Sequence, residues 1–479
     1  MNAYMVKQPI TKLCRFWTDA LHRPVCTTLL VMGLVVPLFI GCSGDNDTTP
    51  AVSRKFLTAA MIAAGGYHTC ALLNIGKVKC WGYNEVGALG LGDVSHRGDE
   101  PGEMGDSLPI VNLGTNLTVI ALSAGGYHNC AVLDNGQVKC WGYNDLGQLG
   151  LGDTANRGDG LSEMGDALPA VDLGTGRMAT AITAGERGHT CSLLDNGQVK
   201  CWGNNSAGQL GIGDTTSHGA AASEMGDALP AVSLGTGRTV TALSAGGGHT
   251  CTILDNGQIR CWGQNSEGEL GLGDTANRGD GPGEMGDALP VVDLGTGRTA
   301  TAVTAGFHQT CALLDNGQIK CWGINDYGQL GLGDTVNRGE GPGEMGDALP
   351  TVDLGTGRAA VAVVAATGNR FTCALLDNGQ VKCWGINTAG ELGLGDTTTR
   401  GSGSGEMGDA LPAINLGASR TATAVSAGNA DVCALLDNGR VKCWGANNFG
   451  LLGLGDTTIR GDEPGEMGDA LPAVDLGTE

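Results

Sequence analysis

The sequence Cys130-Ala-Val-Leu-Asp-Asn-Gly-Gln-Val-Lys-Cys140-Trp141-Gly142 decides the fold, because close copies of it occur seven times in the 479-residue chain. Each copy has two cysteines ten positions apart, and the second cysteine is followed by Trp-Gly. The pairs are Cys70/Cys80, Cys130/Cys140, Cys191/Cys201, Cys251/Cys261, Cys311/Cys321, Cys373/Cys383 and Cys433/Cys443. Successive copies are 60 to 62 residues apart, a regular spacing that indicates a structural repeat.

Each copy has the pattern of a β-hairpin. Short apolar runs flank Asp134-Asn135-Gly136, a strong turn signal. A three-residue loop with its glycine in the left-handed region would place Cys130 opposite Cys140, at a closely spaced pair within disulfide reach. A two-residue Asn-Gly loop would instead place Cys130 opposite Trp141. The recurrence of both cysteines in all seven copies favours the first register.

Composition and charge narrow the class of protein. Glycine is abundant (84 residues) and aromatic residues make up only 4%, which suits many turns and closely packed sheets. Runs such as Thr239-Val-Thr-Ala-Leu-Ser alternate as strands do. The net charge of −22 opposes binding to nucleic acid backbones and favours solubility and cationic partners.

The N-terminus has the features of an export signal, which we assign to residues 1–41. Four basic residues precede an apolar run from Leu29 to Ile40 that is short for a membrane span. The run ends in Leu-Phe-Ile-Gly-Cys42, which resembles the lipobox of bacterial lipoproteins, with Phe39 where leucine is usual. The resemblance implies lipidation of Cys42. Simple signal cleavage and an uncleaved anchor are the alternatives.

Export accounts for the cysteine usage. Fourteen of the seventeen cysteines belong to the hairpin pairs, and Cys14, Cys26 and Cys42 lie at the exported end. Paired cysteines in an oxidising compartment are structural disulfides by default, and each would stabilise the fold by about 2–3 kcal/mol in the chain-entropy account. The spacing is not the Cys-x-x-Cys of zinc sites, so we expect no metal there.

The period between hairpins predicts four short strands, which is the content of one propeller blade. One period runs from Ala288-Leu-Pro-Val-Val-Asp-Leu294, through Ala300–Gly306, to the hairpin 311–323. We therefore divide the chain into the signal, a flexible tether at 42–57 and a propeller at 58–479.

The combined motif Ala-Gly-x-x-His-Thr-Cys-Ala-Leu-Leu-Asp-Asn-Gly-Gln-Val-Lys-Cys-Trp-Gly-x-Asn-x-x-Gly-Gln-Leu-Gly-Leu-Gly-Asp resembles the regulator of chromosome condensation repeat, through residues 58–479. The resemblance implies an all-β, seven-bladed β-propeller with antiparallel blades. Seven Trp-Gly sites are present: Trp81, Trp141, Trp202, Trp262, Trp322, Trp384 and Trp444. The cysteine pair replaces the serine and other residues usual in nuclear members.

Ring closure is predicted from the two ends of the repeat array. The first hairpin is preceded only by a weak echo of the Ala-Leu-Pro strand, at Pro50–Val52, whereas the chain ends with a further copy, Ala470–Leu476. We expect this last strand to complete the first blade and to remove an exposed sheet edge.

Two features are candidate metal sites. His68, His128, His189 and His249 precede the first hairpin cysteine by two residues and could converge on a central channel, but copies five to seven depart from the pattern, so we favour a structural role. The acidic loop Asp153–Asp166 offers Asp159, Glu163 and Asp166 as calcium ligands. It has no EF-hand spacing, and we favour solvated loops.

The functional hypothesis is a non-catalytic protein-interaction scaffold of the bacterial cell envelope, binding a partner through loops on one propeller face. No catalytic group stands out from the repeats, and the Asp-Asn-Gly turns do not match the Asp-box of sialidases. A carbohydrate-active enzyme and a secreted enzyme inhibitor are the alternatives; guanine-nucleotide exchange by family analogy is not expected. We expect a monomeric outer-membrane lipoprotein, or otherwise a secreted protein, with no cofactor and no nucleic acid partner.

Overall fold

In the computed structural model, which describes residues 55–479, every repeat forms one three-stranded antiparallel sheet, and the seven sheets are the blades of a propeller. Blade 1 contains β1 (Ala59–Ala64), β2 (His68–Leu73) and β3 (Val78–Gly82); blade 2 contains β4 (Val119–Ala124), β5 (His128–Leu133) and β6 (Val138–Gly142); blade 3 contains β7 (Ala179–Ala184), β8 (His189–Leu194) and β9 (Val199–Gly203); blade 4 contains β10 (Val240–Ala245), β11 (His249–Leu254) and β12 (Ile259–Gly263); blade 5 contains β13 (Ala300–Ala305), β14 (Gln309–Leu314) and β15 (Ile319–Gly323); blade 6 contains β16 (Ala360–Ala365), β17 (Phe371–Leu376) and β18 (Val381–Gly385); blade 7 contains β19 (Ala422–Ala427), β20 (Asp431–Leu436) and β21 (Val441–Gly445).

The helical content of the described residues is confined to single 3₁₀ turns in the long loops. These turns lie at Gly105–Ser107, Gly165–Ala167, Ala222–Glu224, Gly226–Ala228, Gly286–Ala288, Gly346–Ala348, Gly408–Ala410, Asn448–Gly450 and Gly468–Ala470. The predicted all-β class is therefore confirmed.

The hairpin register follows the sequence prediction. Cys130 pairs with Cys140 across β5 and β6, with their Cα atoms 4.1 Å apart and a disulfide between them. Gly136 closes the turn with φ of 78°, the left-handed conformation that favours glycine. The other six predicted pairs are bonded in the same way: Cys70–Cys80, Cys191–Cys201, Cys251–Cys261, Cys311–Cys321, Cys373–Cys383 and Cys433–Cys443.

The first strand of each blade lies on the inside of the ring, where it contacts the first strands of both neighbours. Hydroxyl groups connect several of these strands. The Ala184 backbone N–H donates to Ser123 Oγ at 2.9 Å, and the Ala64 N–H donates to Ser426 Oγ at 3.0 Å. The second contact joins blade 1 to blade 7, so the ring is closed at its inner wall.

The seven tryptophans bind each blade to the one before it. Every indole is buried, and its N–H donates to a backbone carbonyl of the preceding blade, as Trp141 does to Ala88 at 3.0 Å. A side chain at Gly90 would meet the Trp141 ring at 2.9 Å, which explains the glycine there. Trp81 donates to Leu451 at 2.8 Å and closes the circle. The Trp-Gly motif is thus an interblade contact.

The fourth strand is present in reduced form. Each Leu-Pro-x-Val segment makes one backbone hydrogen bond to the third strand of its own blade, as the Val111 N–H does to Val78 at 2.8 Å. Proline provides no N–H, so a regular ladder cannot form at that position.

Ring closure by the C-terminus is confirmed, with one difference from the expectation. Val474 donates to Val441 in β21, so the segment Ala470–Leu476 belongs to blade 7 and not, as predicted, to blade 1. The carbonyls of Asp475 and Leu476 and the residues after them contact the first repeat. The Leu57 N–H donates to the Gly477 carbonyl, and the Glu479 N–H donates to the Lys55 carbonyl, both at 2.9 Å. The reason is the phase of the repeat: every hairpin takes its fourth strand from the segment that follows it, so no copy is in surplus.

The pairing of the two ends also places Lys55–Leu57, which we assigned to the tether, in the propeller. The signal at 1–41, Cys42 and the remainder of the tether lie outside the described residues. The helical segments within residues 55–479 are single 3₁₀ turns, and none of them could span a bilayer.

Candidate functional site

The two faces of the ring differ in what they present. We call the face on which the first and second strands of each blade are joined the mouth face, because these turns surround the central channel. We call the opposite face, on which the second and third strands are joined, the turn face. The long acidic loops leave the third strands and therefore start at the mouth face.

The turn face is similar in blades 3 to 7, where an arginine forms an ion pair with the hairpin aspartate. Blade 1 has Asn74 in place of the aspartate, and blade 2 has Leu117 in place of the arginine. The ion pairs of blades 3 to 7 are Arg177–Asp195 (3.3 Å), Arg238–Asp255 (3.2 Å), Arg298–Asp315 (3.3 Å), Arg358–Asp377 (3.1 Å) and Arg420–Asp437 (3.2 Å). Such partly exposed pairs are worth at most about 1 kcal/mol each. The uniformity of these five blades points to a structural role.

The mouth face is where the copies differ most. The residue before the histidine position of the second strand is, in blade order, Tyr67, Tyr127, Gly188, Gly248, His308, Arg370 and Ala430. The residue after Trp-Gly is Tyr83, Tyr143, Asn204, Gln264, Ile324, Ile386 and Ala446. Large aromatic side chains therefore occupy these positions only in blades 1 and 2, with Phe307 added from blade 5.

The aromatic side chains contact one another across blade boundaries. The rings of Tyr67 and Tyr127 are stacked with their centroids 5.0 Å apart, and Tyr143 meets Tyr127 edge-on at 6.3 Å. Tyr83 meets Phe449 of blade 7 edge-on at 5.3 Å. A cluster of this kind supplies a rigid contact surface at low cost in side-chain entropy.

The cluster borders a cavity of about 350 Å³, which we call the mouth pocket. Its walls include Tyr67, Tyr127, Tyr143, Glu186, Arg187 and Phe307. Aromatic walls with a few polar groups are typical of binding pockets.

Glu186 is the acidic group of the mouth pocket. It belongs to blade 3, yet its carboxylate lies so close to blade 1 that a Cβ on Gly66 would meet Oε1 at 2.6 Å, and a Cβ on Gly126 would meet the Glu186 carbonyl at 2.2 Å. Its Oε2 atom is buried and has no hydrogen-bond partner. Burial raises the pKa of Glu186 to about 7, against the opposing effect of the Arg187 guanidinium.

Arg187 is held by contacts with blades 4 and 5. Its guanidinium lies 4.8 Å from the centre of the Phe307 ring, donates to Gln264 Oε1 at 2.6 Å, and is hydrogen-bonded to His308 Nε2 at 3.1 Å. The other ring nitrogen of His308 is 2.8 Å from Glu269 Oε1. This network joins blades 3, 4 and 5 across the channel mouth.

The four predicted histidines do not converge on the channel. Each is buried, and its Nε2 is hydrogen-bonded to the neighbouring blade: His68 to Asn129 (2.9 Å), His128 to Thr190 (2.9 Å), His189 to Thr250 (3.1 Å) and His249 to Thr310 (2.9 Å). Burial lowers their pKa values to about 3 or 4, so they are neutral at pH 7. They serve as interblade contacts.

Blade 7 has Asp431 in place of this histidine, and sequence reasoning did not identify its consequence. The Asp431 side chain is fully buried, and neither carboxyl oxygen has a hydrogen-bond partner. Burial, aided by the nearby Glu186 carboxylate, raises the pKa of Asp431 to about 8. The group is therefore mostly protonated at pH 7.

The paired cysteines, which sequence analysis set apart, lie inside the blades and not at the candidate site. The first cysteine of each pair is in the second strand: Cys70, Cys130, Cys191, Cys251, Cys311, Cys373 and Cys433. The second cysteine is opposite it in the third strand: Cys80, Cys140, Cys201, Cys261, Cys321, Cys383 and Cys443. Every one of the fourteen is buried, and none of them borders the mouth pocket. Their role is to hold the two strands together, and they contribute no group to binding.

The proposed calcium ligands have separate roles in the structure. Glu163 Oε2 accepts from the Gly158 and Gly160 N–H groups at 2.9 Å, while Asp166 accepts from the Thr115 N–H and hydroxyl at 2.9 and 2.7 Å. Burial and Glu163 raise the pKa of Asp159, whereas the Thr115 hydrogen bonds lower that of Asp166. No group of three His, Cys, Asp or Glu side chains within residues 55–479 is arranged to hold a metal ion.

Comparison with known proteins agrees with this fold. The model of the RCC1-like domain matches residues 33–402, and that of the regulator of chromosome condensation (RCC1) repeat matches residues 422–451. The chain is 27% identical over 418 residues to the ultraviolet-B receptor UVR8 of Arabidopsis thaliana, a match that covers 86% of this chain and 82% of the receptor. It is 27% identical to the human E3 ubiquitin-protein ligase HERC2 over 75% of this chain but only 7% of HERC2.

Solved structures share the architecture. Human WBSCR16 superposes with a TM-score of 0.56 at 17% identity, covering 79% of this chain and 86% of that one. Prp20p from Saccharomyces cerevisiae superposes with a TM-score of 0.56 at 20% identity, covering 77% and 80%. Relatives with this propeller are mostly non-catalytic interaction or exchange-factor proteins. The chain belongs to the family of proteins with an RCC1-like domain.

Proposed function

We propose that this protein is an exported, non-catalytic interaction protein that binds another protein through its mouth face. The observation that carries the proposal is the contrast between the two faces. The repeat keeps the same ion pair on the turn face of blades 3 to 7, whereas the mouth face gathers tyrosines from blades 1 and 2, together with Phe307 and Phe449. Residues that differ from the repeat at a ring of equivalent positions are suited to recognition, because packing of the blades does not require them.

The seven disulfides support an oxidising, extracellular setting. The bacterial cell envelope is our proposal for that setting, and it rests on the lipobox-like sequence at Cys42 and on the apolar run before it. Lipidation of Cys42 would leave the propeller attached to a membrane surface by a tether. The receptor and ligase activities of UVR8 and HERC2 are properties of those proteins, and we do not extend them to this chain.

A paired set of variants tests the proposal on intact cells. Chemical crosslinking followed by purification of the full chain and mass spectrometry would identify the partner. We expect the double variant Tyr127→Ala with Phe307→Ala to weaken capture by at least about 30-fold, since even one central aromatic contact is worth about 2 kcal/mol or more. The matched control, Arg238→Ala with Arg298→Ala, changes the turn face and should retain the partner.

Two results would overturn the proposal. If the turn-face control loses the partner to the same extent, partner binding cannot be assigned to the mouth face. Turnover of a glycan by the purified protein would favour the carbohydrate-active alternative instead.

A further inference from the structure

The mouth pocket contains an acceptor without a donor. The buried Oε2 atom of Glu186 has no hydrogen-bond partner, although a buried carboxylate is costly unless it is paired. The Glu186 side chain forms part of the pocket wall. The missing partner must provide N–H or O–H donors.

The surroundings of the carboxylate favour a cation. The side chains of Tyr67, Tyr127 and Tyr143 border the cavity, and aromatic faces attract positive charge. The Tyr143 hydroxyl donates to Asp145 at 2.7 Å, and the Tyr83 hydroxyl donates to Glu85 at 3.2 Å, so carboxylates also stand at the rim.

Arg187 is the one cation among the residues that border the cavity, and it does not occupy the position next to Glu186 Oε2. It is engaged instead by Gln264, His308 and the face of Phe307. No cluster suited to a metal ion occurs in the described part of the chain. An organic cation with N–H donors therefore fits the site better than a metal ion or an anion.

We propose that the mouth pocket binds an alkyl-ammonium group, the end of a lysine side chain of the partner, with Glu186 as its acceptor and the three tyrosines around its alkyl chain. This inference rests on the proposed function, because it assigns the chemistry by which the mouth face recognises its partner. A cavity of about 350 Å³ has room for one such side chain. The net charge of −22 would favour the approach of a basic partner surface.

n-Butylammonium, which reproduces the end of a lysine side chain, is the probe. The chain has six tyrosines, so a spectrum of the full protein labelled with ¹³C in tyrosine is simple enough to assign. We expect saturable shifts at Tyr67, Tyr127 and Tyr143 and none at Tyr327, which lies by Arg370 in another part of the rim.

Two variants and two further ligands sharpen the test. The variant Glu186→Gln should weaken binding by about 10- to 100-fold, the usual range for one hydrogen bond to a charged group. The control Glu391→Gln neutralises another buried carboxylate and introduces the residue found at the matching positions 148, 209 and 329, so it should bind as the wild type does. Tetramethylammonium, which has no N–H, and neutral 1-butanol should both bind at least about 10-fold more weakly.

The inference is overturned if n-butylammonium causes no saturable shift, if Glu186→Gln binds it normally, or if tetramethylammonium binds equally well. These outcomes are distinct from failure of the proposed function. If the protein binds no ammonium but still captures its partner through the mouth face, only the proposed lysine-binding role of the pocket is ruled out.

Discussion

Replacing Asp431 with a residue that does not ionise should stabilise this protein at neutral pH. The carboxyl group lies in the second strand of blade 7. At the equivalent position, four other blades have a histidine that is hydrogen-bonded to the next blade, as His128 is to Thr190. Neither Asp431 oxygen has a partner, and burial raises the pKa of the group to about 8. The folded protein therefore holds a proton that the unfolded chain releases near its ordinary pKa of 3.8.

The sign and size of the effect follow from the two pKa values. Because the folded-state pKa is raised, the contribution of Asp431 is fully present below the unfolded value and is lost as the pH rises toward 8. Each pH unit between the two pKa values lowers the free energy of unfolding by about 1.4 kcal/mol, and the total loss at pH 7 is roughly 4 kcal/mol. The variant Asp431→Asn carries no ionisable group, so its advantage over the wild type should grow by that amount between pH 4 and pH 7.

Denaturant unfolding with the disulfides intact, followed by tryptophan fluorescence, measures this difference at each pH. A second neutral variant, Asp431→Ser, is the internal control. Its stability should differ from that of Asp431→Asn by a constant amount, but its advantage over the wild type should change with pH in the same way. A stability difference between Asp431→Asn and the wild type that is flat from pH 4 to pH 7 would refute the reasoning.

Three further predictions concern the framework. In denaturant, reduction should release fourteen additional thiols, as counted by thiol titration; release without reductant would contradict the disulfides. Deletion of residues 477–479 removes the two backbone hydrogen bonds that join the ends and should lower the stability measured by calorimetry by about 2 kcal/mol, whereas a three-residue C-terminal extension should not. Wild-type stability should fall below pH 6.5 as the unfolded chain protonates His128, whose folded pKa is lowered to about 3. The variant His128→Gln, which introduces the residue that blade 5 has as Gln309, should remove about 1.4 kcal/mol per pH unit of this loss above pH 4 in unfolding titrations, and an unchanged pH dependence would contradict it.

The fold could be predicted to a considerable extent from the sequence, because the hairpin is a local structure. The turn at Asp134–Gly136 and the two cysteines determine the register without any distant contact. The assignment of Ala470–Leu476 to a blade was harder, since a fourth strand with one hydrogen bond has little sequence signal of its own. The sequence alone does not show whether this strand pairs with the hairpin before it or with the hairpin after it.

The candidate site could not be predicted, although its residues are visible in the sequence. Tyr83 lies in blade 1 and Phe449 lies in blade 7, and ring closure brings the two rings together. The carboxylate of Glu186 reaches the backbone of Gly66, which is 120 positions away. The useful signal was the set of positions at which the copies differ from one another, and not the motif that they share.

The proposed interaction through the mouth face has a direct test in site-specific photocrosslinking on intact cells. A photoreactive residue would be placed at Tyr83 on the mouth face or, as the control, at Asn196 on the turn face. The account predicts one dominant adduct with another protein from position 83 and none from position 196. The same adduct from both positions, or an adduct from position 196 alone, would contradict it.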